Sequence, residues 1–153
     1  MNPVELERRL QRIERQLDEL ASAGRPRVRS GTWTPELYGA TTYGTTTYAS
    51  RAGQYTLINR ICFAWIVVWW TSTTATGQAR ISLPIASSSA YMPYYVFSLY
   101  HHGFTYTNGA TLRTYVPANE DYVTINEITS SSTTNLQVPP QGLLAFAGCY
   151  EIN

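Results

Sequence analysis

The chain has 153 residues and a formal net charge of +1, and all eleven of its basic residues other than histidine are arginines. This length fits one domain with a short appendage, and no basic pattern typical of nucleic-acid binding occurs beyond residue 30. The longest apolar run, residues 61–70, is about half of what a membrane-spanning helix needs. The charged N-terminus also lacks the apolar core of a signal peptide, so we expect a soluble protein made in a cytosol.

The charges divide the chain into two parts. Residues 1–29 contain seven arginines and five acidic residues, whereas residues 30–153 contain four arginines and five acidic residues. The second part is rich in Thr, Ser, Tyr and Gly, which is typical of a β-domain whose surface is polar through hydroxyl groups. The sequence therefore predicts a helical segment at 1–24, a basic linker at 25–31 and a β-sandwich domain at 32–153.

The first segment has a narrow apolar stripe with heptad spacing. Its members are separated alternately by four and three residues, and they are Leu6, Leu10, Ile13, Leu17 and Leu20. A helix this short is marginally stable alone in water. Leucine at position a with isoleucine at position d favours three or four strands over two. The pattern therefore predicts a helix that associates with copies of itself.

Residues 9–14, RLQRIE, resemble a short trimerisation motif of three-stranded coiled coils: Arg, apolar residue, two free positions, apolar residue, Glu. The resemblance implies that Arg9 and Glu14 form ion pairs between parallel neighbours. The alternative is an amphipathic helix lying on its own domain, but such helices usually have a wider apolar face. We therefore predict a parallel homotrimeric coiled coil, with trimerisation residues Leu6, Arg9, Leu10, Ile13, Glu14, Leu17 and Leu20.

The linker at 25–31 contains three arginines around Pro26, which prevents the helix from continuing. In a trimer, Arg25, Arg27 and Arg29 would form a collar of arginines suited to an acidic partner surface. The alternative is that they simply keep the linker soluble.

From residue 32 the apolar pattern has a period of two, with turn residues at regular intervals. It predicts a mainly β, jelly-roll-like β-sandwich whose strands lie at 32–38, 41–48, 54–58, 61–71, 78–83, 94–100, 104–106, 111–116, 122–128, 136–138 and 143–150. Asn108-Gly109 predicts a hairpin turn between 104–106 and 111–115. Residues 130–134 are expected to form a polar loop.

The strand at 61–71 is apolar on both faces. One face can line the core of the sandwich, but a strand that is apolar on both sides needs a second cover. A neighbouring subunit is the simplest candidate, which agrees with the trimer predicted from the helix.

Chemical motifs are few. The acidic pair Glu120-Asp121 is adjacent in a turn-like segment, so its carboxylates would not face each other across a substrate. His101 or His102 would bind a metal only if symmetry mates joined it at a threefold axis, and an unliganded pair is more common. Cys62 and Cys149 are expected to be reduced core residues. We therefore expect that the protein is not an enzyme and that it binds neither a cofactor nor a metal.

Tyrosines are abundant near the middle of the chain. Tyrosine offers a broad, rigid contact surface with one polar tip. The sequence therefore suggests a binding surface for a sugar or a protein that contains Tyr91, Tyr94, Tyr95, Tyr100 and Tyr106. The alternative is that these side chains belong to the core.

Residues 31–48, GTWTPELYGATTYGTTTY, with GQYT at 53–56 and the apolar strand that follows, resemble a module of tailed-bacteriophage virion proteins. Such modules resemble trimeric jelly rolls of the complement and tumour-necrosis-factor kind. The resemblance covers about a quarter of the chain. It implies a structural protein on the virion surface that is made in the host cytoplasm.

The short stem favours a compact homotrimeric capsid decoration (cement) protein whose partner is the major capsid protein or another virion protein. The alternative is a short receptor-binding tail fibre or tail spike that contacts the host surface, for instance a glycan. Neither function involves nucleic-acid binding or membrane insertion. A carbohydrate-active enzyme is the third and least favoured class.

Overall fold

The computed structural model describes residues 3–23, 26–89 and 96–153. Within these ranges the chain forms one N-terminal helix and two antiparallel sheets, which confirms the mainly β prediction. The elements are α1 (Pro3–Ala23), β1 (Val28–Trp33), β2 (Leu37–Gly39), β3 (Thr46–Ile58), β4 (Ile61–Thr73), β5 (Ala79–Ser82), β6 (Ser98–His102), β7 (Thr111–Tyr115), β8 (Tyr122–Ile128), β9 (Thr133–Asn135) and β10 (Gly142–Glu151).

The helix α1 consists largely of Leu, Arg, Glu and Gln, which have high helix propensity. Glu5 lies in the first turn, where its charge complements the helix dipole, and it forms an exposed ion pair with Arg9 at 3.9 Å. Among the described residues, no helix combines the length and the apolar character that crossing a membrane requires.

Sheet A contains five strands in the order β1-β3-β4-β10-β6. Its first strand starts at Val28, inside the segment predicted as a linker, and pairs with β3 as far as Trp33 and Gly53. The separate strands predicted at 41–48 and 54–58 were wrong, since β3 runs unbroken from Thr46 to Ile58. At position 53 a Cβ atom would lie 2.6 Å from the Trp33 indole. Glycine at this position therefore allows the indole to lie directly against the strand.

Sheet B contains β2-β5-β8-β7, and β9 also pairs with β8. The prediction for β8 has the observed bounds, Tyr122–Ile128. The predictions at 104–106 and 136–138 were wrong, because neither segment is a strand. β8 pairs with β9, Thr133–Asn135, in addition to β5 and β7, and β9 overlaps the expected polar loop.

The turn at Asn108-Gly109 is present, but it does not close a hairpin. Ala110 N–H donates to the Thr107 carbonyl at 3.0 Å, and Gly109 has a φ of 78°. The strand before this turn, β6, belongs to sheet A, whereas β7 belongs to sheet B. The segment between them crosses from one sheet to the other, because the rings of Phe104 and Tyr106 pack against the core.

The core lies between the two sheets and is built from alternate strand residues. On β4 the inward side chains are fully or almost fully buried: Cys62, Ala64, Ile66, Val68 and Trp70. The indole of Trp70 donates to the Pro139 carbonyl at 3.0 Å, so the largest core side chain leaves no unpaired N–H. Burial raises the pKa of the Cys62 thiol.

The prediction that both cysteines are core residues was wrong for Cys149, which is exposed. The reason is strand parity. Cys62 pairs with Tyr150 in register, whereas Cys149 pairs with Phe63. Neighbouring residues point to opposite faces of a sheet, so Cys149 lies on the side of sheet A that faces away from the core.

Candidate functional site

The side of sheet A that faces away from the core carries large apolar side chains. Its β4 members are 37–49% exposed at Ile61, Phe63, Trp65 and Trp69, and Val67 lies between them. Their register partners on β10 are Leu143, Ala145, Ala147, Cys149 and Glu151. We call this surface, residues 61–69 of β4 and 143–149 of β10 at alternate positions, the outer face of sheet A.

The outer face of sheet A is uneven and carries few charged side chains. A hollow of about 490 Å³ lies beside Phe63 and Trp65, because the neighbouring residues Ala147 and Gly148 have small side chains or none. At one end of the surface, Arg60 and Glu151 form an ion pair with each other at 3.1 Å. Tryptophan and phenylalanine bury 150–250 Å² each in a packed site, and contiguous exposed patches of this kind usually mark contact surfaces.

The heptad stripe of α1 is also uncovered. Leu6, Leu10, Ile13 and Leu17 are 49–59% exposed, so the β-domain does not cover them. This argues against the alternative of a helix packed on its own domain. Arg9 pairs with Glu5 of its own helix, and the side chain of Leu20 lies outside the described residues. The predicted trimerisation residues therefore form one exposed surface as far as they are described.

The predicted anchoring arginines lie where the helix joins the sheet. Arg29 is exposed on β1, and Arg27 is exposed just before it. The backbone of Arg27 is fixed: its N–H donates to Asn59 Oδ1 at 3.0 Å, and its carbonyl accepts from Asn59 N–H at 2.9 Å. Arg25 lies outside the described residues.

The predicted tyrosine surface does not form one patch in the described part of the chain. Tyr100 is 62% exposed on β6, beside the outer face of sheet A. Tyr106 packs against the core and meets the His101 ring edge to face at 5.1 Å. Tyr91, Tyr94 and Tyr95 lie outside the described residues.

His101 and His102 point to opposite sides of β6. His101 is half-buried between Phe104 and Tyr106, whereas His102 is exposed. Among the described residues, His, Cys, Asp and Glu side chains form no group of three that would hold a metal ion.

A second group of aromatic side chains lies on the side of sheet B that faces away from the core. Tyr38 stacks on Tyr43 at 4.7 Å, and the Arg80 guanidinium lies 4.3 Å above the ring of Tyr122. The Tyr43 hydroxyl donates to Glu36 at 2.5 Å. The pKa of Tyr43 is raised to about 12, chiefly by this hydrogen bond and to a smaller extent by partial burial.

A cleft of about 600 Å³ was not foreseen from the sequence. It opens at the end of β4, and its lining residues are Thr71, Ser72, Thr73, Gly103, Phe104, Thr105, Glu127, Leu136, Gln137, Val138, Pro139, Pro140 and Gln141. We call it the distal cleft. Glu127 is its one charged lining residue and is only 8% exposed. The available signal was a glutamate at an inward-facing position of β8, in register parity with Val123 and Ile125, a local conflict of the kind that often marks a site.

The comparisons with known proteins support the fold. No protein-family model and no curated protein matches the chain. Among solved structures, the crystal structure of the Dettilon tailspike protein is similar, with a TM-score of 0.68 and 18% sequence identity. The match covers 82% of this chain but 24% of the tailspike chain. The likeness therefore shows a fold shared with one part of a much longer protein.

Proposed function

We propose that this protein is a homotrimeric, non-enzymatic structural protein on the surface of a bacteriophage particle. In this proposal α1 forms a parallel three-stranded coiled coil, and three jelly-roll-like β-domains surround its axis. The observation that carries the proposal is the outer face of sheet A, which leaves Phe63, Trp65 and Trp69 nearly half exposed in a single chain.

The helix that carries one uncovered apolar surface is followed by a strand of the sheet that carries the other. The helix ends at Ala23, and β1, the edge strand of sheet A, begins at Val28. Strand β4 is two strands away from β1, which corresponds to about 10 Å across the sheet. In the proposed trimer, a threefold axis through the stem would pass near sheet A, and contacts between copies would cover both surfaces.

Two likenesses support a place on a phage particle. One is the fold shared with part of the Dettilon tailspike protein. The other is the Gly-Thr-Trp-Thr-Pro segment, whose Trp33 anchors the domain by donating to the Ser82 carbonyl at 3.2 Å. Residues of this segment thus form the start of the β-domain.

Two positions on the particle differ in their partners. We propose decoration of the shell at threefold positions, bound to the major capsid protein, because a single β-domain on a short stem makes a compact knob. The exposed Arg27 and Arg29 lie at the stem end of the domain, where they would meet an acidic shell. The second candidate is a short receptor-binding tail fibre or tail spike, which the fold of the Dettilon tailspike protein favours.

Cryo-electron microscopy of the particles whose genome encodes this chain tests the proposal. We expect trimeric knobs at threefold positions of the shell, and knobs on the tail would replace decoration with the second candidate. A protein made during infection but absent from purified particles would contradict the proposal as a whole.

The trimer itself is tested by Trp65→Glu, which places three charges on the proposed contact surface. We expect weaker association, because an unpaired charge is costly to bury. Thr111→Glu is the matched control, since Thr111 is exposed on β7 of the other sheet. Equal association of the two variants would remove the outer face of sheet A from the proposed interface.

A further inference from the structure

We infer that the distal cleft is a binding site for a neutral saccharide, recognised by the carboxylate of Glu127. The inference deepens the proposed function, which places this end of the domain away from the particle. The binding chemistry itself depends only on the residues of the cleft.

The cleft and the stem lie at opposite ends of β4. The strand begins at Ile61, just after the β3–β4 turn where Asn59 holds the backbone of Arg27. It ends at Thr73, and residues Thr71–Thr73 form one wall of the cleft. Ten residues of strand span about 33 Å. If the stem attaches to the particle, the cleft faces outward, towards whatever the particle meets.

The carboxylate of Glu127 is buried without a cation. Its Oε2 accepts a hydrogen bond from Thr107 N–H at 2.9 Å. The ion pairs among the described residues are Arg9–Glu5, Arg51–Glu36 and Arg60–Glu151, so none of them neutralises Glu127. A buried carboxylate is stabilised by donors. The remaining oxygen is therefore a ready acceptor for hydroxyl groups of a ligand in the cleft.

The rest of the lining suits a polyhydroxylated ring. Ser72 supplies a hydroxyl group, and Gln137 and Gln141 supply side-chain amides. The hydroxyls of Thr71 and Thr73 already bind the Thr47 carbonyl and the Thr46 hydroxyl, which fixes that wall of the cleft. Phe104 and two prolines add an apolar wall against which the C–H face of a sugar packs. A volume of about 600 Å³ is within the range of small-ligand sites.

The sign of the charge selects among ligands. A sugar acid would bring its carboxylate towards Glu127 and be repelled. A divalent cation prefers several oxygen ligands, and Glu127 is the one acidic side chain in the lining. A neutral saccharide donates hydroxyl protons to Glu127 and adds no charge, so it is the ligand class that we propose.

Hydrogen bonds hold the walls in place without a ligand. Trp70 Nε1 binds the Pro139 carbonyl at 3.0 Å, and Val138 N–H donates to the Gly77 carbonyl at 3.0 Å. The Phe104 ring packs directly against the backbone of Gly142, because Phe104 Cδ1 lies 2.5 Å from the point that a Cβ at position 142 would occupy. The site is therefore pre-organised, which reduces the entropic cost of binding.

The test uses the full chain on an array of immobilised neutral oligosaccharides built from hexoses and N-acetylhexosamines, with uronic-acid oligosaccharides beside them. Glu127→Gln keeps an oxygen for Thr107 N–H but places a donor in the cleft. Glu120→Gln is the matched control, because Glu120 lies near Ser87, which bridges to Ile152 at the stem end of β10. We expect the intact chain and Glu120→Gln to bind a neutral oligosaccharide, and Glu127→Gln to bind it at least tenfold more weakly with an unchanged melting temperature.

Three results would overturn the inference. They are no retention of any neutral oligosaccharide by the intact chain, equal retention by Glu127→Gln, and binding that falls steeply with salt, which indicates a charged ligand. Oligomeric state and presence in purified particles are measured separately. A negative result for saccharide binding would therefore not contradict the proposed virion function, and a protein absent from particles could still bind a saccharide.

Discussion

Trp65 and Ile66 are consecutive residues of β4, yet Ile66 is fully buried and Trp65 is 45% exposed. Both are strongly apolar, so their sequence positions do not distinguish them. The difference arises because sheet B covers one face of sheet A, and the described residues leave the other face open. The unpartnered face therefore carries the odd-numbered residues of β4.

The first prediction separates the stem from the β-domain. Ile13→Asp places three charges in one layer of the proposed coiled coil, where they have no partners, so the stem should dissociate. We expect β-sheet circular dichroism to persist and the domains to remain associated through the outer face of sheet A. A variant that is monomeric yet retains its β-sheet signal would show that this face is not an interface.

The second prediction concerns Trp70, the largest fully buried side chain. Trp70→Phe removes the hydrogen bond to the Pro139 carbonyl and leaves a small cavity, which together should lower the free energy of unfolding by about 2–4 kcal/mol. Urea unfolding followed by circular dichroism measures the change. Thr111→Ala, at an exposed position of β7, is the control and should lower the free energy of unfolding clearly less; equal losses would be inconsistent with the described core.

The third prediction concerns alkaline pH. Tyr43 has a pKa raised to about 12 in the folded chain, chiefly by its hydrogen bond to Glu36, and ionises near 10 when unfolded. Between these values the folded chain keeps a proton that the unfolded chain has lost. The stabilisation is therefore complete below pH 10 and is lost as the pH rises towards 12.

Urea midpoints at about pH 9 and about pH 11.5 test this dependence. Burial also raises the pKa of Tyr38 and Tyr150, so these tyrosines act in the same direction. Tyr43→Phe should reduce the loss between the two pH values without abolishing it. A midpoint that increases on going to the higher pH would contradict the assignment.

The amount predicted from the sequence differed between the elements. The helix and the strand β8 were predicted well, because a heptad stripe and a bounded apolar run are strong local signals. The buried and exposed sides of β4 could not be assigned, since both sides are equally apolar. That assignment depends on which side meets sheet B, and this is a tertiary property.

The distal cleft was missed for a related reason. Its lining comes from the end of β4, the segment after β6, β8 and the segment before β10, which are distant in sequence. Strand predictions at 104–106 and 136–138 placed two of its walls in hydrogen-bonded sheets. The turn at Asn108-Gly109 strengthened that error, because its dipeptide is typical of hairpins whereas here it follows a crossover between sheets.

The fourth prediction concerns attachment to the shell. Replacing Arg25, Arg27 and Arg29 together with glutamine should weaken co-sedimentation with undecorated capsids. Each exposed ion pair contributes only ~0.2–1 kcal/mol, but a trimer repeats each contact three times. Glutamine at Arg8, Arg12 and Arg15 of α1 is the control. If both triple variants bind as well as the intact chain, the arginines at 25–29 are not the anchor; binding to host cells in place of shells would favour the tail position.

In the proposed assembly, three copies of this chain associate through α1 and the outer face of sheet A. Sedimentation equilibrium of the intact chain at micromolar concentration tests it most directly. We expect a single species with three times the chain mass of 17.2 kDa, unchanged on tenfold dilution. A species of one chain mass at that concentration would contradict both the trimer and the role assigned to the exposed face of β4.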